Sequence, residues 1–256
     1  MEHQHPNGYV INDVSQGIAA IEFYHPASNS LPGNLLKKLA SIIEEAGKDP
    51  EVKVILLRSA GNKAFCAGAS FDELISIRNA AEGFEFFSGF SDVILAMRNA
   101  PKFVICRVQG KAVGGGVGVA SAADFTFATT HAAVKLSELA VGIGPFVVGP
   151  AVERKIGTSG YSTLAINASN WYTAEWAERQ GLYASLHDSI ENMDIAIKTL
   201  LEQLVQSNPE AMAEIKKAAW INTEHWQELL PERARISGAL VLSDFTRQAI
   251  ERFKSK

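Results

Sequence analysis

Glu138 stands in "KLSELAVGIGPFVV", downstream of two stretches poor in side chains. The first, "NKAFCAGASFDEL", runs from Asn62 to Leu74. The second, "VQGKAVGGGVGVASAAD", places Gly110, Gly114, Gly115, Gly116 and Gly118 within a few residues. A lone carboxylate is proton-transfer chemistry. Glycine in such numbers before a helix marks a tight turn or a ligand pressed against peptide groups, because a Cβ would block the approach. Two turns of the type strand, small residues, helix start can aim backbone N–H groups at one point. Such a pair stabilises negative charge growing on a carbonyl oxygen.

Other chemistries fit less well. The phosphate loop G-x-x-x-x-G-K-[ST] is absent. A dinucleotide loop is suggested by "GVGVAS" and by Glu138 twenty residues after Gly118, but Ser121 replaces its third glycine, and it leaves the upstream loop unexplained. G-x-S-x-G, the platform of a serine nucleophile, does not occur. Apart from the H-x-H of His3 and His5 near the N-terminus, the six histidines are scattered and form no metal-spaced cluster, so no metal site is expected. Cys66 and Cys106 lie in apolar surroundings and read as core thiols.

The positioning elements follow from periodicity. "GIAAIEFY" and "VKVILLRSA" read as strands, and Leu35, Leu36, Leu39, Ile42 and Ile43 share one face of a helix over "LPGNLLKKLASIIEEAGKD". A helix from Glu82 to Asn99 ends before Pro101, and the strands "FVICRV", "FTFAT" and "AVKLS" flank the glycines. After about residue 145 helices dominate: Val148 to Ile156, Thr158 to Asn167, Thr173 to Gln180, Met193 to Gln206, Pro209 to Ile221 and Val241 to Lys256. "GLYASLHD" alone reads as extended there. With 256 residues, 47% hydrophobic and 20% charged, the chain can bury one core, and a net charge of −4 argues against nucleic acid. No run approaches eighteen apolar residues and the N-terminus carries no leader pattern, so a cytoplasmic protein without membrane partners is expected.

Together, "NKAFCAGASFDEL", "VQGKAVGGGVGVASAADFTFAT" and "KLSELAVGIGPFV", in this order, resemble the enoyl-CoA hydratase/isomerase (crotonase) family over most of the chain. The resemblance implies an α/β fold: one crotonase-like domain over 1–256, with a ββα spiral core over about 1–190 and a C-terminal helical trimerisation region over about 191–256. It implies an acyl-CoA thioester substrate, no cofactor beyond the coenzyme A carried by that substrate, and a homotrimer or a hexamer made of two trimers. Ala69 and Gly115 would supply the N–H groups for the thioester oxygen, with Glu138 as acid and base. Lys63, Phe65, Ala67, Gly114, Gly118, Phe253 and Lys256 would line the substrate's path, the loop from Lys63 to Ala67 mainly through its backbone beside the adenine and the last two reaching the CoA of a neighbouring subunit. His25 and Asp72 stand where relatives often carry a basic residue, which leaves Lys63 and Lys256 as the phosphate contacts to test.

One position departs from the pattern. Hydratases of the family carry a second glutamate where this chain has Gly118. Gly118 is also read as a place of close helix packing, compatible with the lost glutamate, and as room for a bulky or carboxylated acyl group. The wording "GGGVGVASAAD…LSELAVGIGPFVV" is similar to a methylglutaconyl-CoA hydratase branch, whereas "GIGPFVV" is similar to single-glutamate isomerases. The reading is an enoyl-CoA hydratase, with an isomerase or a non-catalytic acyl-CoA binder as alternatives. Asp124 is expected to tie a strand start to nearby backbone. Phe84, Phe86, Phe87 and Phe90 are read as core first and acyl lining second, and Trp171, Trp176, Trp220 and Trp226 as packing or subunit contacts.

Overall fold

The computed structural model describes residues 6–254. An antiparallel hairpin, β1 (Tyr9–Ser15) and β2 (Ile18–Tyr24), begins a six-stranded sheet. β3 (Val54–Ser59), β4 (Val104–Val108), β6 (Phe125–Thr129) and β9 (Ser185–His187) extend it in parallel from β2. Parallel neighbours need crossovers, supplied by α1 (Gly33–Lys48), by α2 (Phe71–Ser76) with α3 (Ala80–Asn99), and by α4 (Gly115–Ala122). Buried on both faces, β4 reads VICRV with every residue inaccessible. A second, three-stranded sheet is built from β5 (Ala112–Val113), β7 (Ala133–Lys135) and β8 (Tyr172–Thr173). This two-sheet α/β spiral, followed by C-terminal helices, carries the expected fold.

The helical part comprises α5 (Gly149–Ile166), α6 (Ala174–Arg179), α7 (Ile190–Val205), α8 (Pro209–Ala219), α9 (Trp226–Leu240) and α10 (Asp244–Lys254). The two helices expected over 148–167 form one element broken at Gly157, whose φ of 70° is non-helical. α9 packs along α3, and the two backbones touch: a Cβ on Gly83 would lie 2.6 Å from the Gly238 carbonyl oxygen. Any side chain at this crossing would force the helices apart. Among the described residues no helix is long and apolar enough to cross a membrane.

Asp124 holds the join between the sheet and these helices. Its carboxylate accepts from Val104 N–H at 2.8 Å and from Trp220 Nε1 at 2.7 Å, and pairs with Lys216 Nζ at 2.9 Å. Lys216 is itself buried and also donates to the Met97 and Lys102 carbonyls. Burial pushes its pKa down, opposed by Asp124. Asp124 therefore has the structural part expected of it, and Trp220 and Trp226 pack edge to face in the core.

Candidate active site

Three segments reach the site in register. Cys66 bridges Ala112 in parallel, and Ala112 pairs with Val134 in β7. Ala69 lies three residues beyond Cys66, Gly115 three beyond Ala112 and Glu138 four beyond Val134. Extended to the same end of the small sheet, the segments deliver these residues to one place. The register is fixed by hydrogen bonds from Phe65 N–H to the Lys111 carbonyl (3.0 Å), from Val113 N–H to Cys66 (2.9 Å) and from Gly114 N–H to Lys135 (2.8 Å).

The glycines allow the segments to meet. Gly114 has φ 51° and ψ −117°, and a Cβ there would lie 3.0 Å from Glu138 Oε1. A Cβ on Gly68, at φ 86°, would lie 2.7 Å from the Val113 carbonyl oxygen and 3.3 Å from Gly115 N. Bare backbone is thus the condition for the two loops to abut. Gly115 opens α4, where an N–H has no intrahelical acceptor. Among the described residues, neither the Ala69 nor the Gly115 N–H donates a hydrogen bond. Unused donors on a half-buried Ala69 and a buried Gly115, on the same wall as a carboxylate, can hold a developing oxyanion.

Ala69, Gly115 and Glu138 share the wall of a cavity of about 40 Å³ with Phe87, Phe90, Phe146, Val148 and Ser237. Glu138 Oε2 is shut off from solvent and accepts no hydrogen bond from a described residue. Burial pushes the carboxyl up to about 7, opposed only by its own backbone N–H. A carboxyl there exchanges protons near neutral pH, as a general acid–base group requires.

The remaining expected residues divide. Lys63 is exposed on the loop that Asn29 braces through the Ala60 and Ala64 carbonyls, both at 3.0 Å. Ala67 is half-buried, its N–H donating to Ser28. The Phe65 side chain is fully buried against Phe23, ring centroids 5.6 Å apart, which leaves its backbone for the mainly backbone contact expected of the 63–67 loop. At Gly118 the close-packing reading holds and the acyl-space reading is corrected, because a Cβ there would lie 2.4 Å from Val148 Cγ1. Val148 already fills the space that the sequence reading gave to an acyl group. The Phe253 side chain and Lys256 lie outside the described residues. Phe87 and Phe90 line the cavity while Phe86 packs edge to face on both, so the core and lining readings hold together. Burial pushes the Cys66 thiol up to about 12, as befits a core thiol.

Sequence reasoning missed Phe146, Val148 and Ser237 as wall residues. Ser237 arrives on α9, which Pro231 disguises as two fragments.

The family described as enoyl-CoA hydratase/isomerase matches residues 13–253. This chain belongs to the enoyl-CoA hydratase/isomerase family. A short-chain-enoyl-CoA hydratase of Clostridium acetobutylicum is 31% identical over 82% of this family member and 80% of its own length. The mitochondrial methylglutaconyl-CoA hydratase of Mus musculus is 30% identical over 74% of this chain and 61% of its own. Among solved structures, an enoyl-CoA hydratase from Bacillus halodurans superposes with a TM-score of 0.88 at 21% identity, covering 95% of this chain and 99% of that one. The enoyl-CoA hydratase/isomerase family thus accounts for the fold, and its members make this chain an enzyme of the crotonase superfamily.

Proposed function

We propose that this family member shifts a carbon–carbon double bond in an enoyl-CoA thioester. The Ala69 and Gly115 N–H groups hold the thioester oxygen while Glu138, as carboxylate, takes a proton from the carbon between the carbonyl and a 3,4 double bond. The enolate formed is stabilised by both donors, and Glu138 returns the same proton to the far carbon of the shifted system. Proton and electrons balance within the substrate, so no cofactor is consumed. One observation carries this reading: a single carboxylate faces the cavity, and the position of a second is a glycine with Val148 packed on it. Single-carboxylate proton transfer suffices for isomerisation.

Hydration is the second reading, favoured by the names of the similar proteins above. It needs a water oriented beside Glu138 in a wall whose other polar side chain is Ser237. Absorbance of the conjugated thioester separates the two. Isomerisation makes it grow from a 3-enoyl-CoA, and hydration makes it fall from a 2-enoyl-CoA. Glu138→Gln should lower kcat by about 10²–10⁴-fold with CoA affinity kept. Full activity in that variant would remove the acid–base role, and hydration without isomerisation would overturn the first reading. The homotrimer or hexamer belongs to the same proposal and is tested by sedimentation.

A further inference from the structure

The catalytic cavity, at about 40 Å³, is too small for an acyl group of several carbons. Across Phe146, which lines both, lies a cleft of about 500 Å³. Its walls are apolar at Phe146, Trp226 and Leu229, but two guanidinium groups, Arg154 and Arg233, also face it. Among the described residues neither makes an ion pair. Arg154 stacks on Trp220 at 3.7 Å and donates to the Ala219 carbonyl, while its Nε is buried without a hydrogen-bond partner. Glu153, the acid on the same wall, accepts from Thr158 Oγ1 at 2.6 Å. Tyr161 lines the cleft, and its hydroxyl is held above its ordinary range by burial and by the charges of Glu138 and Glu153, while Arg233 pulls it back. The cleft therefore begins within electrostatic reach of the catalytic carboxylate.

We infer that the acyl group extends past Phe146 into this cleft and that Arg233, with Arg154, selects acyl chains ending in a second carboxylate. Guanidinium groups lacking a carboxylate partner in a partly dry cleft match the planar, two-oxygen end of such a chain. An uncharged chain end would leave both cations unpaired. The inference rests on the acyl-CoA reading above, but its test does not need turnover.

Saturated thioesters that cannot react serve as probes: adipoyl-CoA, which ends in a carboxylate, and hexanoyl-CoA of equal length, titrated calorimetrically into the intact chain. Adipoyl-CoA should bind at least tenfold more tightly. Arg233→Met should erase about ten- to a hundredfold of the adipoyl-CoA affinity and leave hexanoyl-CoA within about twofold. Arg233→Lys should restore part of it. Phe146→Ala, which opens the partition, should keep the preference for adipoyl-CoA. Equal affinity for both thioesters in the parent chain, equal losses for both in Arg233→Met, or a changed oligomeric state in that variant would overturn the selectivity. If neither thioester binds, the acyl-CoA reading falls with it. If both bind alike, only the carboxylate preference fails.

Discussion

Replacing Glu138 by Gln should make the protein more stable at pH 8 while disabling it. The carboxyl ionises near 4.5 in an unfolded chain and near 7 in the folded one, because the cavity strips its water. Between those values the folded state binds more protons than the unfolded state. Stability therefore falls as pH rises from 4.5 to 7, and above 7 the penalty is complete. The gap corresponds to a ceiling of about 3 kcal/mol. Glu138 as a residue is only half-buried, so solvent screening reduces the expected gain to about 1–2 kcal/mol. Glutamine keeps the shape and carries no charge to desolvate. Its urea midpoint and Tm should exceed the parent's at pH 8, the latter by roughly 2–8 °C, with the difference closing as pH falls toward 4.5. The parent's kcat/KM for a 3-enoyl-CoA should rise with pH through about 7, since the free enzyme must present the carboxylate. A stability gain that does not change with pH, or a loss at pH 8, would refute the desolvated carboxylate and the proton chemistry built on it.

Two further outcomes test the surroundings. Gly118→Ala should cost about 1–3 kcal/mol, since its methyl group meets Val148, and Val148→Ala in the same chain should recover most of that in a urea double-mutant cycle. Asp124→Ala should cost about 3–5 kcal/mol in the same assay by leaving Lys216 buried without its counter-charge.

The two glycine-bearing loops were legible because their physical demand is local: bare backbone is written as glycine, and parallel pairing sends similar offsets, three or four residues beyond each bridge, to one end of the sheet. Glu138 stood out for the same reason, as a carboxylate just beyond β7. β1 was not legible, since only one of its seven residues is buried and an edge strand of that kind shows no alternation. α9 was hidden by Pro231, which a helix tolerates there only because tertiary packing outweighs its cost. The true neighbour of Gly118 was invisible for a deeper reason: Val148 lies thirty residues away, and nothing local in either segment encodes their contact. Arg154 on α5 and Arg233 on α9 lie 79 positions apart and meet only as walls of one cleft.

The glycine crossing of α3 and α9 sets an order of events during synthesis. Ala69, Gly115 and Glu138 all leave the ribosome before α9 exists, so until then that side of the chamber has no wall. Only when Gly238 settles against Gly83 is Ser237 delivered and the wall completed. The last-made part of the polypeptide is thus the door of a room furnished earlier, and loosening that door would wet the chemistry without touching one of its reacting groups.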